Sequence, residues 1–230
     1  GKQSGIAGDQ AMRNALTGYY GTGSIGKYLV DYKLRPIFQD VKQAGIGMDD
    51  FRQAGIAMRD VELGGRGITG SNLRGMDFDG LSGFKGNEQQ MAAIARIGKI
   101  RERVGDSGMK VIGDNLKRLY KFQDDLVEEY LVKTGVMSKF AKDSMKSKNE
   151  FYIPFKRQMD FVDEWLGVPP KRGVGSVGSQ NIIRGIKGSE RELVDPFESI
   201  IENTYKIIGL GKRQEVAQTI VSLKDKFPPG

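Results

Sequence analysis

The 230-residue chain contains no cysteine and no histidine. Without cysteine it has no disulfide, no thiolate nucleophile and no thiolate-bound metal. Without histidine it has no Ser-His-Asp or Cys-His nucleophile system, no imidazole ligand and no side chain that ordinarily exchanges protons near neutral pH. Catalysis would fall to carboxylates, lysine, tyrosine or a bound hard cation. The expectation is therefore a chain that binds or holds a partner, with no catalytic residue, no cofactor and no metal. Also missing is any apolar run near the roughly 20 residues that a membrane-spanning helix needs. The Gly1-Lys2-Gln3 start shows no apolar signal region, so no export signal is expected.

Glycine, by contrast, is abundant: 32 residues, about twice ordinary usage. Hydrophobic residues at 38% and charged residues at 28% lie in the range of globular proteins, and the length admits one domain or two. The net charge of +7 favours acidic partners, whether nucleic acid, an anionic membrane surface or an acidic protein. An opening on Gly1 and a close on Phe227-Pro228-Pro229-Gly230 fit a piece or processed product of a longer chain.

Apolar spacing predicts helices almost everywhere. Ile25, Leu29, Tyr32, Leu34, Ile37, Phe38 and Val41 form a stripe that Pro36 should kink or break. Asp49 and Asp50 can cap a helix that carries Phe51, Ile56, Met58, Val61 and Leu63 and stops at Gly64-Gly65. Two more helices are expected, around Glu88 to Val104 and from about Met109 to Lys133, separated by the Gly105-Asp106-Ser107-Gly108 break. A short helix near Ser138 to Lys146 leads to an extended Phe151-Tyr152-Ile153-Pro154-Phe155. Asp195-Pro196-Phe197-Glu198 reads as a helix start, followed by a stripe through Phe197, Ile200, Ile201, Tyr205, Ile208, Val216, Ile220, Leu223 and Phe227 with a break at Gly209 to Gly211.

The fold class that follows is all-α, an irregular helical array with long glycine-rich connections and little or no sheet. Its segments are 1–63, N-terminal and helical; 64–86, a glycine-rich loop; 87–167, central and helical; 168–188, a basic Gly/Pro-rich arm; and 189–230, C-terminal and helical. They make one cooperative unit or a fragment of a larger protein.

Three constellations invite chemistry. Gly21-Thr22-Gly23-Ser24-Ile25-Gly26-Lys27 imitates a phosphate-binding loop, but Tyr28 stands where a magnesium-ligating hydroxyl belongs and no buried strand precedes it, so a helix-entry turn is expected. Asp124, Asp125, Glu128 and Glu129 could share a cation, yet a solvated face paired with nearby Lys117, Arg118 and Lys121 is the simpler reading. Lys171, Arg172, Arg184, Lys187 and Arg191, in and beside a stretch without acidic residues, are the candidates for binding nucleic acid or an acidic partner. Their bland alternative is a solvated loop. Phe151, Tyr152, Phe155 and Trp165 could stack on bases or fill a core.

Three strings, Val61-Glu62-Leu63-Gly64-Gly65-Arg66-Gly67-Ile68, Phe151-Tyr152-Ile153-Pro154-Phe155-Lys156-Arg157 and the stretch from Ile186-Lys187-Gly188-Ser189 to Asp195-Pro196-Phe197-Glu198-Ser199-Ile200, occur in the order seen in one family. Together they resemble a helical region of the large polyvalent proteins of tailed phages and conjugative elements. The resemblance implies a structural module of an internal or ejected virion protein, located in the virion interior or, after injection, in the host cytoplasm. It supplies no catalytic residue. Other virion proteins, a second copy in a homo-oligomer, and DNA are the partners it implies. The alternatives are a stand-alone nucleic-acid-binding module using 168–191 and a magnesium- or nucleotide-dependent enzyme.

Overall fold

Helical spacing is realised throughout the computed structural model, which describes residues 2–64, 78, 81, 86–148 and 196–226. Among these residues there is no strand, and the fold is all-α. The elements are α1 (Lys2–Tyr20), α2 (Thr22–Leu29), a π-helical turn (Val30–Leu34), α3 (Arg35–Gln43), α4 (Met48–Gly64), α5 (Glu88–Val127), a second π-helical turn (Glu128–Val132), α6 (Lys139–Lys148) and α7 (Pro196–Lys226). No helix among the described residues is long and apolar enough to cross a membrane. The contact pattern divides the chain into Gly1–Ile153 with Thr204–Gly230, and Pro154–Asn203; of the latter the structure describes 196–203, the opening turns of α7. Most of the 64–86 loop, the extended 151–155 segment and the 168–188 arm lie outside the described residues.

The break expected at Pro36 takes a milder form. Proline lacks an N–H and its ring crowds the carbonyl four residues back. The preceding turn widens, the Arg35 N–H bonds the Val30 carbonyl, and the chain continues helically into α3. The true reversal comes at Gly45. Its φ of 74° is open to glycine at little cost; its N–H reaches the Lys42 carbonyl at 3.0 Å and that of Ile46 reaches Val41 at 3.2 Å. The chain returns as α4 with the Phe38 and Phe51 rings edge to face, 6.3 Å between centroids. Asp49 and Asp50 lie inside the first turn of α4, where they complement the helix dipole, rather than capping it.

Asn87 and Gln90 start α5 with reciprocal side-chain-to-backbone bonds of 2.9 and 3.0 Å, and the buried Gln90 amide also donates to the Val61 carbonyl at 2.8 Å. The expected glycine break falls at Gly105, whose φ of 70° and ψ of 175° divide α5 into two arms, 88–104 and 106–127. In an unbroken helix Gln90 and Tyr120 would stand about 45 Å apart. Instead both meet the last turns of α4: Gln90 bonds Val61, and the Tyr120 hydroxyl feels the charges of Glu62 and Arg59. The arms therefore double back as a V around α4. At its apex Arg103 Nε lies 3.1 Å from Asp50 Oδ1. Phe51, Ala54, Ala57, Met58 and Val61 of α4 are buried, as are Ala93, Ile97 and Ile100 of the first arm and Met109, Ile112, Leu116 and Leu119 of the second. Phe78 is also buried, its ring 3.5 Å from where a Cβ on Gly113 would stand.

The second arm buries Phe122 and Leu126 as well. After the second π turn, Gly135 (φ 76°) reverses the chain and Ser138 Oγ accepts the Ala141 N–H at 3.1 Å to start α6. No break occurs at Gly209 to Gly211; α7 is continuous. Gly211 is instead a point of close approach, since a Cβ there would stand 2.2 Å from the Tyr130 carbonyl oxygen. Gly26 plays the same part for the Tyr205 ring, 2.3 Å from its hypothetical Cβ. The C-terminal stripe is buried at Ile200 and Ile208 but not to its end, because Ile220 is 51% exposed.

Candidate binding groove

The glycine motif at residues 21–27 is helical. Gly21 forms the turn between α1 and α2, and the Ile25 N–H already bonds the Gly21 carbonyl at 3.0 Å. A helix, not a strand, precedes the motif, and the Lys27 ammonium pairs with Asp31. Amides committed to a helix leave no cradle for a phosphate here.

The four clustered carboxylates are each matched by lysine. Lys142 of α6, a buried residue, lies 3.2 Å from Asp124 and 2.7 Å from Glu128. Lys121 holds Asp125 at 2.9 Å, and Lys133 pairs with Glu129. The Lys121 pairing is the expected one, whereas Arg118 turns to Asp40 and Asn115, and Lys133 and Lys142 take the remaining carboxylates. The hydrogen bond from Lys142, ahead of burial and neighbouring charges, sets Glu128 below its ordinary range. Burial alone would lower Lys142, but the hydrogen bonds and charges of Glu128 and Asp124 outweigh it and raise the ammonium. This arrangement fastens α6 to α5. Among the described residues no group of three or more acidic side chains is placed to hold a metal ion.

A groove of about 570 Å³ runs between the N-terminal helices and the second arm of α5. One wall is Leu29, Tyr32, Lys33, Pro36 and Ile37; the other includes Arg118, Lys121, Phe122, Asp125, Glu129 and Tyr130. The two π turns thus stand on opposite walls, and such widened turns recur at functional sites. Leu29, Pro36, Ile37, Phe122 and Leu126 supply its apolar lining, and Lys33, Arg118, Lys121, Asp125 and Glu129 its charged lining. Tyr32 was expected on the buried stripe, yet it is 68% exposed, because the extra residue of the π turn shifts the helical phase and carries the ring out of the core. Its ring lies 5.0 Å, centroid to centroid, from that of Tyr28, itself 54% exposed. Burial raises the Tyr130 hydroxyl above its ordinary range against the opposing charge of Lys212, whose ammonium is 6.0 Å from the ring centre. Two exposed, mutually supporting rings beside a part-apolar cleft offer large contact area at small entropic cost.

The sequence-derived candidates Lys171, Arg172, Arg184, Lys187 and Arg191 lie outside the described residues, as do Phe151, Tyr152, Phe155 and Trp165. The groove escaped sequence reasoning. Its readable signal was the Tyr28 to Tyr32 spacing of four just before a proline, a position where a helix must widen or stop. No protein-family model matches the chain, and neither a curated protein nor a solved structure matches it.

Proposed function

We propose that this chain is a non-catalytic helical interaction module of an internal or ejected phage virion protein, and that it seats a protein segment in the groove between its two π turns. The observation that carries the interaction role is the exposed Tyr28–Tyr32 pair at the groove edge. Tyrosines held by a rigid helix beside a part-apolar cleft have the character of protein-contact hot spots. The virion setting rests on the sequence strings that resemble the polyvalent phage proteins. A photoreactive amino acid in place of Tyr32 should cross-link to another virion protein, and Tyr28→Ala with Tyr32→Ala should abolish that contact. Mass spectrometry of purified virions that never detects the chain ends the virion reading.

A second reading is favoured by one sequence feature, the run from Val168 to Ser189 that carries Lys171, Arg172, Arg184 and Lys187 without an acidic residue. In that reading the arm follows a DNA backbone and releases counterions. DNA affinity that stays constant from low to moderate salt removes its electrostatic basis.

A further inference from the structure

Gly105 is the one residue at which α5 leaves helical dihedrals, and no connecting loop separates its arms. Straightened, α5 would be a rod about 60 Å long. We propose that two copies of this chain exchange everything that follows Gly105, each with α5 straight and each completing the other's fold. This goes beyond the groove reading, and does not depend on it.

Nothing lies within 4 Å of the Cβ position at Gly105, so an alanine side chain there would meet no neighbour and only the backbone preference would change. Its positive φ is tolerated by glycine and by few other residues, whereas the helical alternative is open to all. The hinge is also short, and short hinges between complementary segments invite exchange.

The contacts that close the V join residues before 105 to residues after it. Asp40 pairs with Arg118, Ile46 approaches Gly108, Gly26 meets Tyr205, and the walls of the groove come one from each side. An isolated straight chain would forfeit all of these. A pair of straight chains keeps them, because the segment from the second copy presents the same residues to the same acceptors. The occupant that fits the vacated surface is therefore a second copy of this chain. Each groove in the exchanged pair would have walls from two chains.

Size-exclusion chromatography with light scattering on the full chain tests this. Wild type should contain a dimer that exchanges slowly with monomer. Gly105→Ala penalises the positive φ and favours the straight helix, twice per dimer, so the association constant should rise on the order of a thousandfold. Inserting Gly-Ser-Gly after Gly105 relaxes the reversal and should leave monomer only. In a chain free of native cysteine, Asp40→Cys with Arg118→Cys can be joined by a short bis-maleimide. The link should run between chains in the dimer fraction and within one chain in the monomer fraction. A folded, monomeric Gly105→Ala overturns the proposal, as does a dimer whose link stays within one chain. If Gly105→Ala does not fold, the insertion variant and the cross-link in the otherwise native chain decide.

Discussion

The ammonium of Lys142 bridges Asp124, on the second arm of α5, and Glu128, one helical turn on at the start of the second π turn, at 3.2 and 2.7 Å. The bridge is what ties α6 to the main helix, and it yields the first prediction. Lys142→Met keeps the apolar stem but leaves two carboxylates facing each other. It should cost about 1–2 kcal/mol in urea unfolding, less than a fully buried pair would, because both carboxylates remain part-exposed.

The same bridge has a pH signature. Glu128 is lowered by the Lys142 hydrogen bond, so its contribution is present above the ordinary glutamate pKa of about 4.3 and is lost as pH falls through the lower folded value. Lys142 is raised despite its burial, so its contribution is complete below about 10.4 and is lost as pH rises through the higher folded value. The stability difference between wild type and Glu128→Gln, measured by urea unfolding across pH, should be flat between these limits and shrink on the acid side. A difference that persists unchanged down to the lowest pH would refute the assignment.

Two glycines in similarly tight contact should respond differently to alanine. At Gly211 the obstacle is the Tyr130 backbone carbonyl, which cannot step aside without moving a π turn. Gly211→Ala should cost about 1–3 kcal/mol, less the roughly 1 kcal/mol of helix propensity that alanine returns. At Gly26 the obstacle is the ring of the part-exposed Tyr205, which can rotate away. Gly26→Ala should be close to neutral in the same assay.

The start of α5 depends on two side chains. Asn87→Ala removes a cap and should cost about 1 kcal/mol. Gln90→Ala should cost more, about 1–3 kcal/mol, since it also strips the Val61 carbonyl of a buried donor. Thermal melts of the two variants give the order directly.

Tyr28→Ala with Tyr32→Ala removes two exposed rings, so stability should change by no more than about 0.5 kcal/mol per site while partner capture is lost. A large drop in melting temperature would show that the pair serves the fold instead.

Much of this architecture was legible in the residues. Phe51, Met58 and Val61 of the α4 stripe reveal the core because burial follows helical period, and the Gly105-Asp106-Ser107-Gly108 break falls on its first glycine, where a positive φ stops the helix. Gly211 was misread, since a glycine that ends a helix and one that admits a neighbouring backbone look alike in a single sequence. Lys142 could not be matched to Glu128 from spacing alone, because the turn at Gly135 brings them together across a chain reversal. The groove was hidden for a third reason: Tyr32 obeys the helical period only until the chain adds a residue to the turn, and nothing but Pro36 announces that addition.

A π turn carries one residue more than the α-helix it interrupts, so it works as a vernier between the segments it joins. Deleting one residue from Val30–Leu34 would return that stretch to ordinary winding and rotate α2 by about 100° against α3. Tyr28 would then point elsewhere and Gly26 would leave Tyr205, although no core side chain of α3 had been touched. The aim of the N-terminal helices is thus set by a count of residues rather than by the identity of any one of them.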